Sequence, residues 1–243
     1  MGDGGGPYAR VVLVDLHAHT TPRSSCSRAT LADLVESARA HGVDALCLTE
    51  HDVLWTEEDL AAASREVGMP LFGGVELSTD VGHVLAYGRL DRPLWAKYRF
   101  EQLVAEADRG LIALVLPHPV RREAGDRAAR AGRTQPSPTE VAARDSWQYV
   151  HAIEAGSTQA SAAEQLLTAA ALVEAPRPAV AGSDAHSRDR AGTYATVFDS
   201  AIRTVADLVT ELRAGRVRAQ LAVGLGVVEE ESAPGVVAHK LKP

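Results

Sequence analysis

The apolar run Val11-Val12-Leu13-Val14 leads straight into Asp15, His17 and His19, an Asp-x-His-x-His pattern. In an extended chain residues two apart point to the same face, so these three side chains share one side. Two imidazoles side by side with a carboxylate behind them can bind a borderline cation such as zinc, iron or manganese and hold its ligands in orientation. Taken alone, so short a pattern equally suits a polar strand end whose histidines only hydrogen-bond. Its recurrence along the chain decides between the two.

Six further apolar runs are joined to residues that can bind metal. Residues 45–49 lead to Glu50-His51-Asp52, residues 71–75 to Glu76, and residues 111–116 to Pro117-His118-Pro119. The segment 150–153 leads to Glu154, and 179–183 to Asp184-Ala185-His186. His83 reverses the order, since it opens the run Val84-Leu85-Ala86-Tyr87. Buried parallel strands read as continuous apolar runs, and an α/β barrel gathers the ends of its strands at one face. Scattered His, Asp and Glu residues then converge, and a polynuclear metal site becomes the leading reading.

The elements that must position these residues alternate. Thr30 can cap a helix over 31–41 that stops at Gly42, and Thr56 another over 57–67 before Gly68. The segments 94–109, 161–173 and 204–214 also carry helical patterns, with a last short strand around Thr196-Val197-Phe198. Strands alternating with helices imply a parallel sheet with right-handed crossovers. Closure into a barrel follows from metal-competent residues lying at nearly every strand end. The arginine-rich stretch 121–138, directly after His118, reads as a loop beside the site: a solvated excursion, or a lid that attracts an anionic substrate, with Arg121 nearest the site.

With 243 residues, 46% of them hydrophobic and 23% charged, the chain can bury the core of one domain. The expected division is a flexible leader over 1–10, a single barrel over 11–226 and a peripheral tail over 227–243. A net charge of −7 without a basic run argues against a nucleic-acid partner. The leader is not read as a signal peptide, and no apolar run approaches membrane-spanning length. Two cysteines, Cys26 and Cys47, fit a reducing cytoplasm better than a disulfide framework.

The motifs Asp15-Leu-His17-Ala-His19, Thr49-Glu50-His51-Asp52, Gly74-Val75-Glu76, Leu116-Pro117-His118-Pro119 and Gly182-Ser183-Asp184-Ala185-His186 resemble, in order, those of the PHP (polymerase and histidinol phosphatase) superfamily. The resemblance spans roughly residues 11 to 215. It implies a distorted barrel of seven βα units with its site at the C-terminal ends of the strands, two or three divalent ions (zinc, manganese or iron), and hydrolysis of phosphate esters of a small metabolite by hydroxide bound at the ions. Carried over by residue, His17, His19, Glu76 and Asp184 resemble the ligands of a first ion. Glu76 would bridge to a second, held also by His118 and His83, and His51 and His186 would serve a third.

Glu154 resembles the family's strand-end glutamate and reads as a supporting or structural residue. Where many members have Ser-Asp-Gly or a histidine after the first motif, this chain has Ser24-Ser25-Cys26-Ser27, so Cys26 is either a thiolate ligand or an ordinary small residue. A phosphoryl group would be held by the third ion, Arg121 or Arg23, and the leaving oxygen protonated from Asp52, Asp184 or His186. Two other readings stand beside this one. Barrels with His-x-His starts also resemble amidohydrolases, and some PHP modules are non-catalytic and merely stabilised by metal.

Overall fold

The first eight strands fall on the apolar runs, and the turns between them on the capping residues. The computed structural model describes residues 11–91, 94, 97–221, 228–231 and 236–240. In chain order the elements are β1 (Val12–Ala18), α1 (Leu31–Ala40), β2 (Ala45–Leu48), α2 (Glu57–Val67), β3 (Leu71–Thr79), β4 (Gly82–Gly88) and α3 (Phe100–Asp108). There follow β5 (Ile112–Leu116), α4 (Gly125–Arg130), α5 (Pro138–Ala142), α6 (Asp145–Gln148), β6 (Ala152–Gly156), α7 (Ala162–Glu174) and β7 (Ala179–Ala181). The last elements are β8 (Ala195–Phe198), α8 (Val205–Arg213), β9 (Arg218–Gln220), β10 (Val228–Glu231) and β11 (Val236–Lys240).

One sheet runs in the order β10-β11-β9-β8-β1-β2-β3-β4-β5-β6-β7 and curls into a nearly closed barrel. The chain leaving β7 returns to β1 through a parallel bridge between Ala18 and Ala185, with Asp184 N–H donating to His17 O at 2.7 Å. Side chains of β1 to β8, among them Leu16, Cys47, Phe72, Tyr87, Val115, Ala152, Val180 and Phe198, meet in a single apolar cluster. Eight strands can pool side chains in this way only on the inside of a barrel. Leu208 and Leu212 of α8 belong to the same cluster.

The sheet is mixed, where simple alternation predicts an all-parallel one. β4 is antiparallel to both β3 and β5, and β8 is antiparallel to β1. The reversal at β4 has a physical source: only two residues, Asp80 and Val81, separate it from β3, far fewer than a parallel crossover needs. Its consequence is direct. The start of β4 lies beside the end of β3, with Ser78 opposite His83.

Helix ends follow their caps closely. Thr30 accepts from Asp33 N–H while the Asp33 carboxylate reaches back to Thr30 N–H, and Thr56 accepts from Asp59 N–H ahead of the left-handed Gly68. α3 starts later than the pattern over 94–109 suggests, because Asp80 at the β3–β4 turn accepts the N–H of Phe100 at 2.8 Å. The stretch 121–138 is not wholly loop: α4 forms within it, burying Ala128 and Ala124 at its base. The tail expected over 227–243 is in part the hairpin β10–β11, which pairs through β11 with β9 at the sheet's edge. The expected leader over 1–10 lies outside the described residues, among which no helix is long and apolar enough to cross a membrane.

Candidate metal centre

Six of the nine histidines converge on one end of the barrel. His17 and His19 come from β1 and its exit, His51 from the exit of β2, His118 from beyond β5, His186 from beyond β7. His83 joins them because β4 runs backwards, so its first residues lie where the other strands end. Period-two geometry predicts that Asp15, His17 and His19 share a face, and all three are fully buried.

Glu76, at the middle of β3 and fully buried, divides its carboxylate between two groups. Oε2 lies 3.1 Å from His19 Nε2, 3.3 Å from His17 Nε2 and 3.2 Å from His51 Nδ1. Oε1 lies 2.7 Å from His83 Nδ1 and 3.0 Å from His118 Nε2. Asp184 Oδ1 stands 3.5 Å from His17 Nε2 and 3.4 Å from His19 Nε2.

Several of these contacts suit a cation better than a hydrogen-bond network. Both oxygens of the buried Asp184 carboxylate lack a hydrogen-bond partner, and so does His83 Nδ1 although it is 2.7 Å from Glu76 Oε1. Orphaned buried polar atoms are costly, and a shared cation is a physical reason for them to persist. The Nε2 atoms of His17 and His19 face one another at 3.1 Å. With metal–nitrogen bonds of about 2.0–2.1 Å, two imidazoles on one tetrahedral ion bring their nitrogens to roughly that spacing. Nitrogen and carboxylate oxygen donors suit zinc, manganese or iron, and the residues present fit such ions. His17, His19, Glu76 and Asp184 form one donor set, and His51, Glu76 and His83 another that His118 adjoins.

Supporting contacts hold the donors in place. His17 Nδ1 lies 2.9 Å from Glu154 Oε1, and Glu154 Oε2 accepts from His118 N–H at 2.9 Å. Asp15 Oδ1 accepts from Ser183 N–H at 2.8 Å and Oδ2 from Gly192 N–H at 2.8 Å, tying β1 to the segment that carries Asp184 and His186. His19 Nδ1 meets Ser24 Oγ at 3.3 Å, and Ser24 donates in turn to Glu50. His118 and Asp184 both occupy left-handed backbone, φ 29° and 50°, a conformation that side-chain-bearing residues adopt where the surroundings impose it.

Electrostatics follow from this crowding. Burial pushes the Glu76 and Asp184 carboxyls up, but the charge of His17 and, at Glu76, hydrogen bonds from the neighbouring imidazoles prevail and hold both below the ordinary range. Burial opposes charge on His17, yet Asp184, Glu154 and Glu76 keep its pKa raised. His51 falls to about 4, chiefly through burial. Burial and the nearby acids push the Cys26 thiol up.

The remaining expected residues lie in different settings. Arg121 Nη1 is 3.3 Å from His118 Nε2 and 3.9 Å from Asp184 Oδ2, at the rim of the cluster. It also lines a cavity of about 430 Å³ with Arg122, Arg127 and Arg130. Arg23 is engaged elsewhere, paired with Asp59 at 2.9 Å and stacked 4.0 Å over the Trp55 ring. Asp52 is exposed and accepts from Ser78 N–H at 2.9 Å, outside the donor sets. Ser24 and Gly182 stand inside the quoted motifs, but their roles are not legible there. A hydroxyl that orients a ligand carries no spacing signal, and a Cβ at Gly182 would sit 2.5 Å from His17 Cβ.

Two family models match the chain, the PHP domain over residues 15–116 and a PHP-associated region over 168–217, together more than half of its length. A 66-residue stretch is 39% identical to a 5′-3′ exoribonuclease of Haemophilus influenzae, covering 27% of this chain and only 23% of that protein. Among solved structures, a two-domain protein from Bacteroides vulgatus containing a predicted PHP-like metal-dependent phosphoesterase superposes with a TM-score of 0.59 at 18% identity, over 88% of this chain and 65% of that one. An amidohydrolase from Chromobacterium violaceum, solved with bound sulfate and no metal, gives 0.55 at 17% identity, over 82% and 96%. At such identities the likeness is one of fold.

Proposed function

The chain belongs to the PHP superfamily, and from that premise we propose that it is a metal-dependent phosphoesterase acting on a small phosphorylated substrate. The observation that carries the reading is the division of Glu76, one oxygen toward His17, His19 and His51 and the other toward His83 and His118. A single carboxylate placed in this way can serve two cations at once, the arrangement that in-line displacement at phosphorus uses.

His17, His19, Glu76 and Asp184 would hold one ion, Glu76, His83 and His118 a second, and His51 with His186 a third. Bound there, divalent ions supply positive charge against the phosphoryl oxygens and lower the pKa of water from 15.7 toward about 7. The chain's own residues do the rest. Buried Glu154 and Asp15 keep the donors pre-oriented, so that little rearrangement accompanies the reaction. Arg121, a third exposed at the rim, offers a planar guanidinium to the phosphoryl oxygens, and the arginine-lined cavity beside it favours an anionic substrate despite the net negative chain.

Of the three residues expected as proton donors, Asp184 is held ionised and Asp52 is tied to Ser78. His186 presents Nε2 to Cys26 Sγ at 3.1 Å, where as an ion ligand it would have no proton to give. The leaving oxygen therefore takes its proton from solvent, which reaches the partly exposed His51 and His83.

The test combines elemental analysis with a phosphate-release assay over mono- and diesters. Wild-type protein is expected to carry one to three transition-metal ions and to release phosphate, and Glu76→Ala to lose most of both. Full metal content in Glu76→Ala would remove the bridging assignment, and a metal-loaded wild type inactive on every ester would remove the reaction.

A further inference from the structure

Cys26 faces the cluster from the loop after β1. Its Sγ lies 3.1 Å from His186 Nε2, and the ligand atoms of Cys26, His51, His186 and His19 all fall within 4.8 Å of one another. With metal–sulfur and metal–nitrogen bonds of about 2.3 and 2.0–2.1 Å, ligands of one tetrahedral ion stand roughly 3.5 Å apart, the scale observed here. His186 is pre-set for the role: its Nδ1 lies 2.9 Å from Asp184 O, a carbonyl that can only accept, so Nδ1 carries the proton and Nε2 presents its lone pair toward the sulfur.

The loop is pinned on both sides of the cysteine. Ser24 N–H donates to Thr20 O, Ser27 Oγ donates to His19 O at 2.8 Å, and Arg28 N–H donates to His186 O at 3.0 Å. The fully buried His19 is common to this donor set and to that of His17, Glu76 and Asp184, so the two positions lie side by side.

We propose that Cys26 supplies a thiolate to a cation held jointly with His51 and His186, giving the centre one soft position beside the oxygen-bearing positions built on Glu76 and Asp184. The proposal rests on the metal-hydrolase reading above. Entry of the cation releases the thiol proton to solvent, and a sulfur lone pair forms the new bond; no electron is transferred. Soft thiolate donors favour zinc over manganese or magnesium, so this position selects zinc while the others accept harder ions. The centre is then chemically unequal, with two classes of site in one cluster.

Cobalt titration of metal-stripped protein tests this without reference to turnover. Thiolate ligation to cobalt(II) produces a near-ultraviolet sulfur-to-metal charge-transfer band that nitrogen and oxygen donors lack. Wild type is expected to develop the band, Cys26→Ser to lose it together with about one equivalent of bound cobalt, and Cys47→Ala to retain it. Cobalt bound by wild type with no such band would overturn the thiolate assignment and leave the hydrolase reading standing. A band that follows Cys47 would also overturn it, and failure of wild type to bind any cobalt would bring down the metal reading itself.

Discussion

Glu154 Oε1 lies 2.9 Å from His17 Nδ1, and both residues are buried where β6 and β1 approach the metal centre. This contact sets the tautomer of His17: the proton sits on Nδ1, shared with the carboxylate, and Nε2 is left as the donor that faces Glu76 and Asp184. Glu154 Oε2 holds His118 N–H as well, so one side chain orients ligands of two donor sets. Glu154→Gln keeps the shape but turns an acceptor into a donor at one end. Metal affinity is expected to fall on the order of 10–100-fold, the usual effect of losing such a partner, in a protein that still folds. Isothermal titration with zinc checks it, and unchanged affinity would leave Glu154 a packing residue.

Arg121 stands at the junction of the centre and the arginine-lined cavity. A charge-assisted hydrogen bond to a phosphoryl group is worth about 1.5–3 kcal/mol, so Arg121→Ala should lower kcat/KM roughly ten- to a hundredfold. Thermal melts should hardly move, since the side chain is a third exposed. Arg122→Ala should do less, its side chain being exposed. Turnover of Arg121→Ala equal to wild type would mean that phosphate binding comes from the ions alone.

Gly182 is where the chain leaving β7 passes across β1. A Cβ there would lie 2.5 Å from His17 Cβ and 2.7 Å from His17 N, and backbone cannot swing aside as a flexible side chain can. Gly182→Ala is expected to destabilise the fold by about 1–3 kcal/mol, the usual cost of overpacking, and to displace His17 enough to weaken metal binding. Denaturant unfolding and zinc content measured on the same preparation test both halves. A variant that melts and loads like wild type would show that the strands can separate here at no cost.

His151 lies outside the centre, accepting from Leu114 N–H at 3.0 Å, with Arg213 Nη1 3.1 Å from its other nitrogen. Burial first, then the Arg213 charge, depresses its pKa from 6.5 to about 4. A histidine with a depressed folded pKa binds fewer protons folded than unfolded across that interval, so stability rises with pH there. Its contribution is complete above pH 6.5 and is lost as pH falls from 6.5 toward 4. His151→Asn, which keeps an acceptor for Leu114 without a titrating ring, should flatten this part of the profile. Urea midpoints of both proteins between pH 4 and 8 decide, and parallel curves would exclude His151 as the source.

Much of this was legible in the residues alone. Period-two alternation put Asp15, His17 and His19 on one face, because strand geometry depends only on neighbours along the chain. The same holds for α1 and α2, whose ends are set by Thr30, Thr56 and Gly68 through bonds spanning three or four residues. The ordered motifs placed His51, His118, Asp184 and His186 just beyond strand ends, which the barrel brought together, whereas Glu76, expected at an end, lies inside β3 because that strand runs on to Thr79.

Other features needed partners distant in sequence, and those only folding supplies. The opening position of His83 joins the centre because β4 turns back after a two-residue link and pairs in reverse with β3. Arg23, close in sequence to His19, is instead drawn off by Asp59 and Trp55. The first residue of α3 is chosen by Asp80, twenty positions earlier. Sequence by itself determined which side chains can bind metal and which local elements carry them, since donor chemistry and short-range geometry belong to each segment. Tertiary structure alone decided how Glu76 divides its two oxygens, because that depends on the positions of five imidazoles from four segments of the barrel.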